Sequence, residues 1–246
     1  MTRTVCIIQA RMASTRLPGK VLLDLNGRSV LSYSVERCLA ITGVDEVCCA
    51  IPNTVDCEAI AEEAKRCGAI VTRGSERDVL ERYYQAAKHL NADVVLRVTS
   101  DCPLIDPNIC NQVLQRMAQE KADYACNCTP PSWPHGLDCQ AFKFSWLERA
   151  YHEATDPFDR EHVSPFIRKH PDARKVNFMS SDPSMIHHRW TLDTPADLEF
   201  FHALMPHLPE GPASWDYQIP LKFLQGAPEI SAINADHVEL SRAKTR

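Results

Sequence analysis

Long apolar runs and clusters of basic residues are both missing from this 246-residue sequence. No segment approaches the roughly 20 apolar residues of a membrane-spanning helix, and the chain enters a strand-like run, 5–8, without the apolar core of a signal peptide. The 27 basic and 32 acidic side chains give a net charge of -5, and there is no RNA-binding signature. We therefore expect a cytoplasmic protein without a membrane or nucleic-acid partner.

The sequence also lacks internal repeats, low-complexity tracts and an even set of cysteines. Its 44% hydrophobic and 24% charged residues are ordinary for a globular chain, so we expect a single domain over residues 1–246. The 11 cysteines are an odd number, and several, such as Cys6, Cys48 and Cys49, lie within apolar runs. This pattern favours buried, reduced thiols over disulfides.

Short apolar runs alternate with helix-like stretches up to residue 98. The runs are 4–9, 46–51, 69–72 and 94–98. They are rich in β-branched residues and show no polar alternation, which is typical of strands covered on both faces. Amphipathic stretches separate them, and Ser75 with Asp78 predicts a capping box at the start of the third. The sequence thus predicts an α/β fold of βαβ units, with a mostly parallel sheet flanked by helices and ligands at the carboxyl ends of the strands.

The pattern changes between residues 123 and 183, where proline-rich turns interrupt a mixture of strand-like and helix-like stretches. We interpret this segment as an insertion that forms a second lobe for dimerisation or for binding an acceptor. Its aromatic residues Trp133 and Phe158 look exposed, and such patches often mark interfaces.

A cationic loop follows the first strand, where residues 9–20 read Q-A-R-M-A-S-T-R-L-P-G-K. It is neither a Walker A loop nor a G-x-G-x-x-G turn, but it brings together Arg11, Arg16, Lys20 and two hydroxyls. Guanidinium, ammonium and backbone N–H groups give charge-assisted hydrogen bonds to phosphate oxygens. The loop therefore predicts a polyphosphate site. The alternative is a solvated basic loop closed by a Pro-Gly turn.

Two aspartates are placed to hold a metal ion. Asp101 leaves the fourth apolar run in V-L-R-V-T-S-D-C-P, and Asp193 precedes a helix that Thr194, Pro195 and Asp197 are expected to cap. Mg²⁺ takes oxygen ligands and needs only one or two carboxylates beside phosphate oxygens. We predict that Asp101 and Asp193 hold magnesium over the polyphosphate, whereas Asp197 only caps the helix.

Three segments together resemble one family. Q-A-R-M-A-S-T-R-L-P-G-K, T-S-D-C-P and L-D-T-P-A-D-L, in this order and spacing, look like the cytidylyltransferase family of CMP-Kdo and CMP-acylneuraminate synthetases, and most like its SpsF-like branch. G-L-D-C-Q-A-F at 136–142 and R-E-H-V-S-P-F-I at 160–167 also resemble SpsF-like segments. The resemblance implies a Rossmann-like α/β fold of the nucleotide-diphospho-sugar transferase type, CTP as donor, Mg²⁺ and a homodimer.

The same resemblance implies roles for single residues. Its nucleotide-binding positions fall on Gln9, Ala10, Arg11, Ser14, Arg16, Lys20, Arg77 and Asp101. Its catalytic positions fall on Arg11, Arg16, Lys20, Asp101 and Asp193, the last two as metal ligands. Arg77 stands in G-S-E-R, where the predicted capping role of Ser75 is an alternative explanation of the motif.

The acceptor is expected to be an acidic sugar or a related small acid, converted to its CMP derivative with release of pyrophosphate for surface polysaccharide synthesis. At Gln9 the sugar-acid synthetases usually have proline, and the central segment departs from them too, so the acceptor's identity stays open. His187, His188 and Arg189 precede Asp193 and are candidate acceptor contacts. Packing or surface histidines explain the pair equally well.

Other interpretations stay open. A nucleotide-sugar glycosyltransferase has a similar sheet, but its D-x-D metal motif is S-D-C here, at 100–102. The loss of a loop cation or of either aspartate would favour a non-catalytic nucleotide-binding protein, but all of these residues are present. Cys126, Cys128, His135 and Cys139 could be drawn as a zinc site, but their spacing is not typical of structural zinc.

Overall fold

The strands of the protein, in a computed structural model that describes residues 2–238, belong to one sheet. They are β1 (Thr4–Gln9), β2 (Glu46–Pro52), β3 (Ile70–Gly74), β4 (Val94–Thr99), β5 (Tyr124–Cys126), β6 (Gln140–Lys143) and β7 (Lys175–Asn177). Their order is β3-β2-β1-β4-β6-β5-β7, and β6 runs antiparallel to both of its neighbours while the other pairings are parallel. The first four strands and the mostly parallel sheet confirm the prediction.

Helices cover both faces of this sheet. They are α1 (Val30–Leu39), α2 (Glu58–Arg66), α3 (Val79–His89), α4 (Pro107–Gln119), α5 (Phe144–Glu153), α6 (Pro157–His162), α7 (Pro165–Lys169), α8 (Pro195–Leu204), α9 (Gln218–Gly226) and α10 (Pro228–Ala232). Cys6 and Ile8 of β1 pack in a cluster with α1, α2 and α4, whereas Val5 and Ile7 pack in a second cluster with α3 and α5. Because both faces are buried, the strands carry no polar alternation.

Two helix starts test the predicted capping. Asp106 caps α4, accepting from two first-turn N–H groups at 2.7 and 2.9 Å, with Pro107 as the first helical residue. The predicted cap at Ser75 is wrong, because α3 starts three residues later with Asp78 as N-cap. The Asp78 carboxylate accepts from the N–H of Glu81 at 2.9 Å, and Glu81 in turn accepts from the N–H of Ser75 at 2.9 Å.

The segment 123–183 continues the central sheet. Its strand β6 pairs with β4, placing Gln140 opposite Arg97, and β5 and β7 extend the sheet beyond it. Its helices α5 to α7 lie on the same face as α3, packing with Leu147 and Ile167 in that cluster. The segment therefore widens the sheet and builds a wall over one face, where the sequence suggested a separate lobe.

The two aromatics that suggested an interface differ in burial. Trp133 is only 6% exposed; its Nε1 donates to the Phe178 carbonyl at 3.0 Å, and its ring packs on Phe178 and Tyr217, so its predicted exposure is wrong. Phe158 is 37% exposed. The homodimer stays a prediction, and light scattering at micromolar concentration tests it.

No helix in residues 2–238 is both long and apolar enough to cross a membrane.

All eleven cysteines are free thiols, and only Cys67 is not buried, as the sequence predicted. Of the cysteines considered for zinc, Cys126 donates to Asn177 Oδ1 at 3.2 Å, and the Cys128 sulfur accepts from Gln140 Nε2 at 3.7 Å. A hydrogen bond with Cys110, together with burial, raises the pKa of Cys139. These thiols have partners within the protein's own core and cleft.

Candidate active site

A cleft of about 630 Å³ opens at the carboxyl ends of β1 and β4. Its floor is the sheet face formed by Gln9, Arg97, Thr99 and Gln140. One wall consists of α6 and α7, and the other of Asp101, Cys102 and the segment 189–194. The position at the strand ends and the volume are those of a small-molecule site.

The cationic loop folds back on itself beside this cleft. The N–H of Gly19 donates to the Met12 carbonyl at 3.1 Å, and Gly19 has a φ of 66°, which a residue without Cβ adopts at little cost. A short 3₁₀ helix, Lys20–Leu22, starts directly after it. This turn sends the Lys20 side chain back toward the strand ends, where Asp101 lies.

Asp101, Asp193 and Lys20 meet at one end of the cleft. Lys20 Nζ lies 2.6 Å from Asp101 Oδ2 and 3.0 Å from Asp193 Oδ1, and Arg16 forms a second ion pair with Asp193. The side chains of Lys20, Asp101 and Asp193 are 12%, 24% and 18% exposed. The two carboxylates therefore converge on a single cation at a partly open position.

The electrostatics follow from that arrangement. Burial by itself raises the pKa of Asp101, but the charge and hydrogen bond of Lys20 outweigh it and hold the pKa well below its usual range. Burial by itself lowers the pKa of Lys20, yet Asp101 and Asp193 together raise it above its usual value. Lys20 and Asp101 therefore form an ionised pair at neutral pH.

Backbone contacts explain how residues ninety positions apart come together. The Asp101 carbonyl accepts from the N–H of Leu192 at 2.8 Å and from the hydroxyl of Thr191 at 3.2 Å. The segment before Asp193 makes one isolated bridge, between His135 and Arg189. Gly136, at φ 116°, lets that bridge form, because a Cβ there would collide with the backbone of residue 190.

Asp197 has a larger role than the predicted cap. The capping box with Thr194 is present, as predicted. In addition Asp197 is fully buried, and its two carboxylate oxygens accept from Arg189 Nε and Nη2, each at 2.7 Å. The Asn234 amide donates to it at 2.9 Å. Asp197 is thus the buried counter-ion that ties the segment 189–194 to α8 and to the chain around residue 234.

The predicted acceptor contacts are largely engaged elsewhere. Arg189 is 4% exposed, and its Nε and Nη2 are held by Asp197 while Nη1 faces His135 Nδ1 at 3.2 Å. His187 and His188 are not part of the cleft wall; they line a small separate pocket beside Trp190. Burial lowers the pKa of His188. Of these three residues Arg189 lines the cleft, and the role of all three as acceptor contacts stays a prediction.

The remaining predicted nucleotide positions are spread along the loop and the β3 end. Arg11 and Arg77 are exposed, whereas Ala10 is buried with its N–H bound to the Ala50 carbonyl at 3.3 Å. The Ser14 hydroxyl accepts from the N–H of Leu17 at 3.4 Å. Among these residues only the two arginines present charge to solvent, and neither of them belongs to the cleft lining.

Among the residues that the fold brings into the cleft are Arg97 and Asp138, which sequence reasoning missed, and His135, which it considered only as a zinc ligand. His135 Nε2 lies 3.7 Å from Asp138 Oδ2, and only in its protonated form does His135 help to lower the pKa of Asp101. The available signal was Arg97 itself, a charge inside the apolar run V-V-L-R-V-T. Charged residues are rarely placed in a central strand without a partner or a ligand.

Comparison with known proteins identifies the family of the chain. The chain is 30% identical over 218 residues to the spore coat polysaccharide biosynthesis protein SpsF of Bacillus subtilis, covering 86% of this chain and 90% of that one. It is 32% identical over 122 residues to a 3-deoxy-manno-octulosonate cytidylyltransferase of Escherichia coli, covering 50% and 49%. The structure of a cytidylyltransferase from Leptospira borgpetersenii superposes with a TM-score of 0.88 at 28% identity, covering 94% and 97%. Since the family model for cytidylyltransferases matches residues 5–218, the chain belongs to the cytidylyltransferase family and is a nucleotidyltransferase.

Proposed function

We propose that this protein transfers the cytidylyl group of CTP to an acidic sugar or a related small acid and releases pyrophosphate. The observation that carries the proposal is the convergence of Asp101 and Asp193 on Lys20, beside a loop that also holds Arg11 and Arg16. This combination provides cations for a triphosphate and a pair of carboxylates for a metal at the same end of the cleft.

The residues present fit a magnesium ion. Asp101 and Asp193 offer hard oxygen ligands that already share one cation, and Mg²⁺ binds through one or two carboxylates plus substrate phosphates. Within residues 2–238 no group of three or more metal-ligating side chains is found, so the remaining ligands would come from the nucleotide and water. Bound there, magnesium would neutralise charge on the α-phosphate and favour the deprotonated acceptor oxygen.

The protein's own side chains supply the positioning. An acceptor oxygen attacks the α-phosphorus, the bond to the β-phosphate oxygen breaks, and pyrophosphate leaves with the negative charge. Arg11, Arg16 and Lys20 would hold the β- and γ-phosphates and stabilise that charge, while Ser14 adds a hydroxyl. Lys20 is well suited to this, because its carboxylate partners keep it protonated.

An acidic acceptor is supported by the kind of proteins that the chain resembles. One is a 3-deoxy-manno-octulosonate cytidylyltransferase, and another is named for spore coat polysaccharide biosynthesis. We infer that the product serves surface polysaccharide synthesis in the cytoplasm, where the chain's free thiols would stay reduced.

Pyrophosphate release tests the proposal. The protein is incubated with Mg²⁺, with each of CTP, UTP, ATP and GTP, and with 3-deoxy-manno-octulosonate, N-acetylneuraminate or 2-aminoethylphosphonate. We expect release only with CTP, and only when one of the acids is present. If pyrophosphate were released faster with another triphosphate than with CTP, the assignment of CTP as donor would be wrong. If the rate with each acid were the same as the rate without any acid, the assignment of an acid as acceptor would be wrong.

A further inference from the structure

Arg97 occupies an unusual place for a cation. It lies on β4, between β1 and β6 in the interior of the sheet, and its neighbours Val95, Leu96 and Val98 are buried apolar residues. Its side chain points into the floor of the cleft. A charge at such a position costs free energy unless a partner or a ligand compensates it.

The partners of Arg97 are neutral. Nη2 donates to Gln9 Oε1 at 3.0 Å and Nη1 to Gln140 Oε1 at 3.3 Å, and the guanidinium lies 5.9 Å from the ring centre of Tyr83. Gln140 is oriented by Cys128, whose sulfur accepts from its amide nitrogen at 3.7 Å, so the amide oxygen faces Arg97. Nε is buried and has no hydrogen-bond partner within residues 2–238.

Three cations in or beside the cleft differ from Arg97 in this respect. Lys20 and Arg16 form ion pairs with Asp193. Two nitrogens of Arg189, Nε and Nη2, donate to the carboxylate of Asp197. The hydrogen-bond partners of Arg97 are instead two side-chain amides. Amides carry no charge, so the positive charge of Arg97 stays available to an anionic ligand. A guanidinium that faces a cleft and has only neutral hydrogen-bond partners is an arrangement that binds a carboxylate or phosphonate oxygen.

We propose that Arg97 binds the anionic group of the acceptor and so selects for an acid; this inference rests on the proposed cytidylyl transfer. Arg97 precedes Asp101 by four residues, which is at most about 13 Å along an extended chain. An acid anchored on Arg97 therefore lies in the same cleft as the carboxylate pair, toward which it can present its nucleophilic oxygen. The α6–α7 wall, with His162 and Ser164, faces the same space.

Binding measurements separate this role from that of CTP. The variants are Arg97→Met, which removes the cation, and Gln140→Glu, which leaves Arg97 in place but gives it an internal counter-ion. Gln115→Glu, on the exposed surface of α4, is the matched control for the added charge. Titration calorimetry measures the affinity of each protein for CTP with Mg²⁺ and for the three acids 3-deoxy-manno-octulosonate, N-acetylneuraminate and 2-aminoethylphosphonate.

We expect both cleft variants to lose about tenfold to a hundredfold in affinity for the acid that the parent binds best, as loss of a charged hydrogen-bonding partner implies. Their affinity for CTP and their melting temperature should stay near those of the Gln115→Glu control. The identity of the acid shows whether the anion is a carboxylate or a phosphonate. Unchanged acid affinity in Gln140→Glu would overturn the role of Arg97, as would a parent that binds CTP but none of the acids. A parent that fails to bind CTP would instead overturn the proposed function.

Discussion

Asp193 and Asp197 stand four residues apart, yet they belong to groups of opposite character. Asp193 joins Asp101 and Lys20 in what we term the cleft cluster, whose side chains are 12–24% exposed. Asp197 and Arg189 form the buried cluster, in which the exposed fractions of the two side chains are 0% and 2%. In both clusters the aspartate oxygens and the nitrogens of the cations lie at similar distances. The clusters differ in whether a ligand can reach the carboxylates.

This difference assigns the two clusters to different tasks. In the cleft cluster the side chains are partly exposed, so we propose that a metal ion can take the place of the lysine beside the carboxylates, and that the lysine can then bind a phosphate, without a change in the fold. In the buried cluster every carboxylate oxygen is already used by Arg189, Asn234 and the N–H groups of residues 193 and 194. Substitutions in the first should therefore change chemistry, and substitutions in the second should change stability.

The largest stability effect is expected for Asp197→Asn. It leaves the buried Arg189 cation without its counter-ion, which typically costs about 3 to 5 kcal/mol of unfolding free energy. That is well above the roughly 1 kcal/mol of a helix cap alone. Urea denaturation at pH 7 measures it, with Asp193→Asn as the control that should lose about 1 kcal/mol or less. Equal losses in the two variants would erase the distinction between the clusters.

The corresponding effect on chemistry is expected for Asp101→Asn and Asp193→Asn. Each removes a charge that is needed most when the phosphates become more negative in the transition state. Turnover with CTP and the acid that the parent uses should fall by about two to three orders of magnitude. Circular dichroism should show an intact fold. If the folded variants released pyrophosphate at near the parent rate, the two carboxylates would not be the metal ligands.

A smaller effect concerns the stability of the protein at acidic pH. Burial by itself raises the pKa of Asp197, but the hydrogen bonds and charge of Arg189 outweigh it and lower the pKa below its usual value. The stabilisation is therefore complete above the unfolded-state pKa of about 3.9 and is lost as the pH falls through the lower folded-state pKa. The difference in unfolding free energy between parent and Asp197→Asn should be constant from about pH 7 to pH 5 and shrink below about pH 4. A constant difference down to the most acidic pH measured would contradict the pairing with Arg189.

Contiguous features of the site could be predicted from the sequence. The loop of residues 9–20 and the position of Asp101 after an apolar strand are local, and parallel strands bring their carboxyl ends to one edge. The cap at Thr194 is equally local, since it depends on residues three apart. These features can be predicted because each depends on residues that lie close together in the chain.

The remaining features depend on contacts between distant segments. Arg97 faces Gln140 only because β6 inserts antiparallel next to β4, which no local pattern shows. Asp197 looks like an ordinary cap until Arg189 and Asn234 are brought around it. Trp133 looked exposed in a proline-rich segment, but Phe178 and Tyr217 cover it.

The central claim is that the cleft binds CTP together with magnesium, and the melting temperature tests it most directly. A ligand that binds only the folded state stabilises it by mass action, by about 2.7 kcal/mol at a hundredfold excess over its Kd. Melting is measured with CTP, UTP, ATP, GTP and a UDP-sugar, each with and without Mg²⁺. We expect the largest rise with CTP plus Mg²⁺, and we expect Asp101→Asn to lose the magnesium-dependent part of it. A larger rise with a purine triphosphate or a UDP-sugar, or no rise with CTP, would contradict the account.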